Sequence, residues 1–176
     1  MNLSTTNDQQ TCTLGDRQNV CELDENLEIL RRVPAFSGAP LERLRLFAFM
    51  SKRLFFKAGT FIIRQDDPAR HAYILISGRA QVIKEYKERS ALLNEFTAGE
   101  FFGGLALLSD IKRPVSVRAV TDVCCLAMDR ESFMKTFSQS PEVILKIVDF
   151  MVKRHFQMYD KFLEKLSPES ISNIKL

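Results

Sequence analysis

Arg113 and Ser116 close a stretch running from Phe102 to Ala119, FGGLALLSDIKRPVSVRA, whose residue types suit one job: holding an anion. Gly103 and Gly104 allow close backbone approach, and Leu105-Ala106-Leu107-Leu108 has the composition of a one-turn helix. The first N–H groups of a helix have no partner inside it, so those of Leu105 and Ala106 are expected to point outward as donors. Arg113, entering the next strand, adds a planar fork that matches a phosphate or carboxylate. Ser116 adds a hydroxyl to the same short stretch. Arg113 also has a second reading, as a solvated strand-start residue paired with nearby Asp110.

Other chemistries find little support. The four cysteines, Cys12, Cys21, Cys124 and Cys125, lack metal-ligand spacing. The adjacent pair sits in an apolar run that reads as a strand, so one thiol is expected in the core and the other on the surface. His71 and His155 have no acidic or Cys partners at ligand spacing, and no nucleophile–base pair stands out. No metal, no cofactor and no enzyme activity are expected.

With its gapless match at Phe102, Gly103, Leu105, Ala106, Leu107, Leu108, Arg113 and Ser116, the stretch resembles the phosphate-binding cassette of the cyclic nucleotide-binding domain family. It departs from the family pattern twice. The Glu that binds the ribose hydroxyl in the family is Gly104 here, and the residue after the Arg is Pro114, which has no N–H to donate. The resemblance extends over roughly residues 25 to 160, through ILRRVPAFSGAP, KAGTFIIRQDDPARHAYILISGRAQV and MDRESFMKTF. It implies a regulatory module that senses a cyclic nucleotide, with cyclic AMP and cyclic GMP as candidate ligands, or a related phosphorylated small molecule. The ligand-binding residues carried over are Gly103, Gly104, Leu105, Ala106, Arg113, Val115 and Ser116. The alternative reading is a degenerate, dimeric protein-interaction scaffold that no longer binds nucleotide.

The elements that must position these residues are legible as patterns. Leu27, Leu30 and Val33 recur at helical spacing before a break at Pro34, Gly38 and Pro40. Leu41, Leu44, Phe47 and Ala48 form the next stripe, which Ser51 and Lys52 cut short. Then come short runs rich in Val, Ile and Phe: RLFFKAG, TFIIRQDDP, HAYILISG, RAQVIKEY, ALLNEFTAG and SVRAVTDVCCLAMD. Gly59, Gly78 and Gly99 follow successive runs, where a turn calls for positive φ. Such spacing predicts a sandwich or jelly-roll barrel. The expected fold is therefore mainly β with flanking helices, and the resemblance makes it a double-stranded β-helix, or jelly roll, with a long C-terminal helix.

That helix should start at Pro141, after Ser140, and end before Pro168. Ile144, Val148, Met151, His155, Tyr159, Phe162 and Leu166 are expected on one apolar face, widened by Val143, Ile147, Phe150 and Phe156. The surplus apolar surface predicts a homodimer through residues 141–167. The expected division is a polar tail at 1–22, a β module with N-terminal helices at 23–140, the helix at 141–167 and a tail at 168–176.

Length and composition bound the rest. The 176 residues suit one domain and an appendage, with 45% hydrophobic and 27% charged residues. Residues 1–28 hold six acids and one base, so the net charge of +3 leaves +8 on the remainder. Those bases are interspersed with acids, which reads as a solvated surface and not a nucleic-acid footprint. Ten residues follow Leu166, too few for a helix-turn-helix reader. Neither kinase motifs nor apolar spans of membrane length occur, and the N-terminus lacks signal-peptide character. A cytoplasmic module that acts through an unidentified downstream protein is the expectation.

Overall fold

The computed structural model describes residues 14–87 and 89–164. Two four-stranded antiparallel sheets carry the fold. One has the order β1 (Lys52–Phe56), β8 (Val123–Asp129), β3 (His71–Ser77), β6 (Phe101–Phe102). The other runs β2 (Phe61–Ile63), β7 (Ser116–Ala119), β4 (Ala80–Tyr86), β5 (Arg89–Phe96). The six apolar runs supply the strands β1 to β5, β7 and β8. Gly59, Gly78 and Gly99 have φ of 82°, 91° and 90°, which is the conformation that the turn reading demanded.

Helices cover one face of the first sheet. These are α1 (Leu14–Arg32), α2 (Leu41–Met50), the one-turn α3 (Leu105–Leu108), α4 (Arg130–Phe137) and α5 (Pro141–Glu164). Among the described residues, none is long and apolar enough to cross a membrane. The first sheet is the central layer because it is buried on both sides. Ala72, Ile74, Leu126 and Met128 face a helical core with Leu30, Phe36, Phe47, Phe133, Phe137 and Ile147. The alternate residues Tyr73, Leu75, Cys125 and Ala127 face Ile62, Ile63, Val82 and Val117 of the second sheet.

This layering corrects the reading of the cysteines. Cys124 and Cys125 do point to opposite faces, but both are buried, since helices cover one face and a sheet the other. Burial pushes the Cys125 thiol up to about 12, which leaves it protonated and inert.

Two further expectations need revision. Helix α1 begins at Leu14, inside the segment 1–22 expected as a tail. Its polar composition hid it: its anchoring includes ion pairs from Arg53 of β1 to Glu25 at 2.8 Å and Glu22 at 3.7 Å. Helix α5 starts at Pro141, but its buried stripe is Val143, Ile147 and Met151, with Ile144 and Phe150 half-buried. Val148, His155, Phe156 and Tyr159 are exposed. The expected face lay partly on the wrong side of the helix, because a helix apolar on two sides offers no internal cue to which side meets the core. The side chain of Phe162, all of Leu166 and the expected tail 168–176 lie outside the described residues.

Candidate functional site

The one-turn helix forms where the composition placed it, at Leu105–Leu108 between β6 and β7. Gly103 enters it at φ +71°, a left-handed conformation in which a side chain is strained. Space forbids one as well: a β-carbon there would lie 2.9 Å from Nη1 of Arg113 and 3.3 Å from the His71 carbonyl oxygen. Gly104 differs. Its φ of −62° and ψ of −27° suit any residue. What excludes a side chain is contact, since a β-carbon would stand 2.4 Å from Cε of Met151 and 2.7 Å from Cε1 of Phe101.

Arg113 is buried, at 7% exposure. Its Nη2 donates to the His71 carbonyl at 2.5 Å, and its Nη1 reaches the Gly103 carbonyl at 3.5 Å. The backbone is pinned too: Arg113 N–H donates to Asp67 O, and Asp66 N–H donates to Arg113 O, both at 2.9 Å. The solvated reading is thereby overturned, and Asp110 sits 3.7 Å from Arg130 instead. Burial pushes the Arg113 guanidinium down from its ordinary value, while Tyr73 and Asp67 pull it back up. Among the described residues Arg113 forms no ion pair.

The expected amide donors divide. Ala106 N–H is taken by the Gly103 carbonyl at 3.1 Å, so only the Leu105 N–H of that pair lacks an acceptor among the described residues. Ser116 is buried, and its hydroxyl accepts the Gln65 N–H at 2.9 Å, leaving its own hydrogen to donate. Val115 packs half-buried against the core between the sheets. The Pro114 carbonyl accepts from Lys84 Nζ at 2.8 Å. Beside Arg113, the space between the sheets holds a stack of rings: Tyr73 on Phe102 at 5.4 Å and Phe102 on Phe96 at 4.8 Å. The surface hollow bounded by Arg31, Phe36, Gly38 and Leu44 lies on the helical side, among α1 and α2.

Three residues important to this site were not assigned to it from the sequence. His71 supplies the carbonyl that orients Arg113. Arg130 clamps the one-turn helix, donating from Nε to Ala106 O at 2.7 Å and from Nη2 to the carbonyls of Ser109 and Ala69. Met151 reaches across from α5. Only the start of α4 left a local signal: Asp129 is its N-cap, accepting from Ser132 N–H at 2.8 Å, and Arg130 follows it.

Two four-stranded antiparallel sheets with a long C-terminal helix, and a buried guanidinium beside a one-turn helix, are the build of a ligand-responsive regulatory domain. Residues 53–140 match the family described as the cyclic nucleotide-binding domain, and the chain belongs to it. It is 28% identical over 166 residues to the cAMP-dependent protein kinase regulatory subunit of Dictyostelium discoideum, covering 92% of this chain and 46% of the relative. The solved catabolite activator protein of Thermus thermophilus is similar with a TM-score of 0.65 at 26% identity, over 75% of this chain and 62% of that one. A cyclic nucleotide-binding-like protein from Brucella abortus gives 0.60 at 27% identity, over 65% of this chain and 99% of that one. The chain spans less than half the length of the curated relatives it matches. The match to regulatory subunits agrees with a binding module in place of an enzyme.

Proposed function

We propose that this chain is a cytoplasmic sensor module for a cyclic nucleotide or a related phosphorylated small molecule, with its two sheets forming the halves of a jelly roll. The observation that carries the reading is the state of Arg113. A buried cation whose hydrogen-bond partners among the described residues are two carbonyls, and whose attraction to Asp67 falls short of an ion pair, has its charge only partly offset, and an anion is the missing counter-charge. Arg113 anchors that anion, the Leu105 N–H adds a donor, and the Ser116 hydroxyl and Val115 shape the adjoining wall. Cyclic AMP and cyclic GMP are the first candidates, as the named ligands of several relatives, such as the cGMP-dependent protein kinase 2 of Homo sapiens.

Output passes through α5 to a second copy of the chain and onward to a downstream protein. The exposed residues Leu145, Val152, Phe156, Tyr159 and Leu163 follow one another at steps of seven, four, three and four, a seam suited to a paired helix. A second reading, the scaffold that binds no nucleotide, is favoured by Met151 over Gly104 and by the ring stack beside Arg113. Calorimetric titration with cyclic AMP and cyclic GMP separates the two. Binding of either below millimolar, with a matching rise in melting temperature, supports the sensor. If neither binds and neither shifts the melting temperature, the scaffold reading takes its place.

A further inference from the structure

The backbone at position 104 does not require glycine, yet the space around it does. At φ −62° Gly104 occupies ground open to any residue, while Met151 Cε and the Phe101 ring stand where a β-carbon would go. Met151 is buried although it lies ten residues along a helix whose later part is largely exposed. Two flanking contacts hold the same stretch of α5 to the same edge of the sheet. The ring of Phe150 meets that of Phe101 at 6.1 Å, and Arg154 pairs with Glu100 at 3.4 Å while its guanidinium lies 5.5 Å from the Phe96 ring.

We propose that Gly104 is a socket for the Met151 thioether, and that this knob latches α5 onto the cassette in the ligand-free protein. An occupant of the cassette that needs the space at position 104 must first expel Met151, so filling the site and freeing α5 become one event. The thioether suits this role because it is unbranched and rotates out at little steric cost. Phe101, a rigid ring on β6, stays as the socket wall. The ligand-coupled half of this proposal rests on the cassette reading above; the latch itself does not, because it is tested without ligand.

The experiment is a double-mutant cycle read by hydrogen exchange of the α5 amides in the full chain, with exchange in β3 and β8 as an internal reference. Gly104→Ala fits the backbone but collides with the knob, and Met151→Ala removes the knob. Each alone is expected to speed exchange across residues 147–157 by about tenfold or more, a scale set by truncating a buried methionine, with the reference strands unchanged. In the double variant the collision with the knob is gone and only the Phe101 contact, shared with Gly104→Ala, remains, so its exchange should fall clearly short of the sum of the two single effects. Wild-type exchange in Gly104→Ala, or effects that simply add in the double variant, would overturn the latch. Should Gly104→Ala fail to fold, Met151→Ala alone decides: faster exchange confined to residues 147–157 supports the latch, and wild-type exchange there sinks it.

Discussion

Arg113 donates to the backbone carbonyl of His71 at 2.5 Å, tying the loop before β7 to the first residue of β3. The bond places a positive charge deep in the protein, where Asp67 attracts it but no carboxylate among the described residues reaches ion-pair distance. A guanidinium so placed is costly in the protein alone, and useful only if an anion comes to it.

Arg113→Met separates those two roles. The thioether side chain fills similar volume without a charge, and replacing a buried charge by a well-packed apolar group is often neutral or stabilising. The Gly103 carbonyl keeps the Ala106 N–H as a partner. The His71 carbonyl loses its guanidinium donor, which works against the relief of the buried charge, so unliganded stability is expected within about 1–3 kcal/mol of wild type by chemical denaturation. Any rise in melting temperature caused by cyclic AMP or cyclic GMP should vanish. A variant that retains that rise would remove Arg113 from the site.

Acid should loosen the same corner through two groups that face each other across β3 and β8, His71 and Asp129. Burial holds the His71 imidazole below its ordinary value, Asp129 opposes this, and Arg113, Arg70 and Lys52 reinforce it. A base with a depressed value contributes stability above its unfolded value of about 6.5, lost as pH falls through the lower folded one. For Asp129 burial pushes upward, but the Ser132 N–H and hydroxyl, its own N–H and His71 together hold it below the usual range. Its contribution is present above about 3.9 and is lost as pH falls through the folded value. Denaturation midpoints should therefore drop in two steps below about pH 6.5. His71→Gln should flatten the upper step and Asp129→Ala the lower one.

How much of this was legible in the sequence follows from the range of each interaction. Turn glycines such as Gly59 and Gly99, the one-turn helix and the start of α5 at Pro141 are local, and their residues carry the signal unaided. The match around Arg113 marked the candidate site because its candidate groups lie within one short segment. The parts that Met151, His71 and Arg130 play at the site went unseen because each meets the cassette through tertiary packing or a backbone carbonyl, neither of which leaves a spacing pattern. The face of α5 was misjudged for a related reason. Val143 and Val148 are equally apolar, and only the docking of the helix decides that the first is buried and the second is not.

Arg130 gives a direct test of that tertiary layer. Its fork caps the C-terminal end of the one-turn helix by satisfying the carbonyls of Ala106 and Ser109. Arg130→Lys keeps the charge but cannot span those carbonyls and that of Ala69 together. Both Arg130→Ala and Arg130→Lys should lower stability by about 1–3 kcal/mol, the cost of leaving buried acceptors unmatched. Exchange of the amides from Leu105 to Ser109 should rise in both. Full protection in the lysine variant would mean that charge alone, and not the fork, holds the cassette.

Self-association through α5 makes a sharper demand now that the helix faces are known. Met151 points to the core, so substituting it tests folding and not pairing. Val152 and Phe156 are the informative positions: both are exposed, Phe156 at 64%, and neither belongs to the buried clusters. In a dimer paired along this seam, glutamates at both positions place like charges in a drying interface, a cost of several kcal/mol. The double variant Val152→Glu/Phe156→Glu should sediment as a monomer while wild type sediments as a dimer, and its circular dichroism should match wild type. The pairing also predicts that wild-type melting temperature rises with protein concentration and that the variant's does not. A monomeric wild type at micromolar concentration would leave the exposed side of α5 to a different protein, and the output of the module would then run through a hetero-complex.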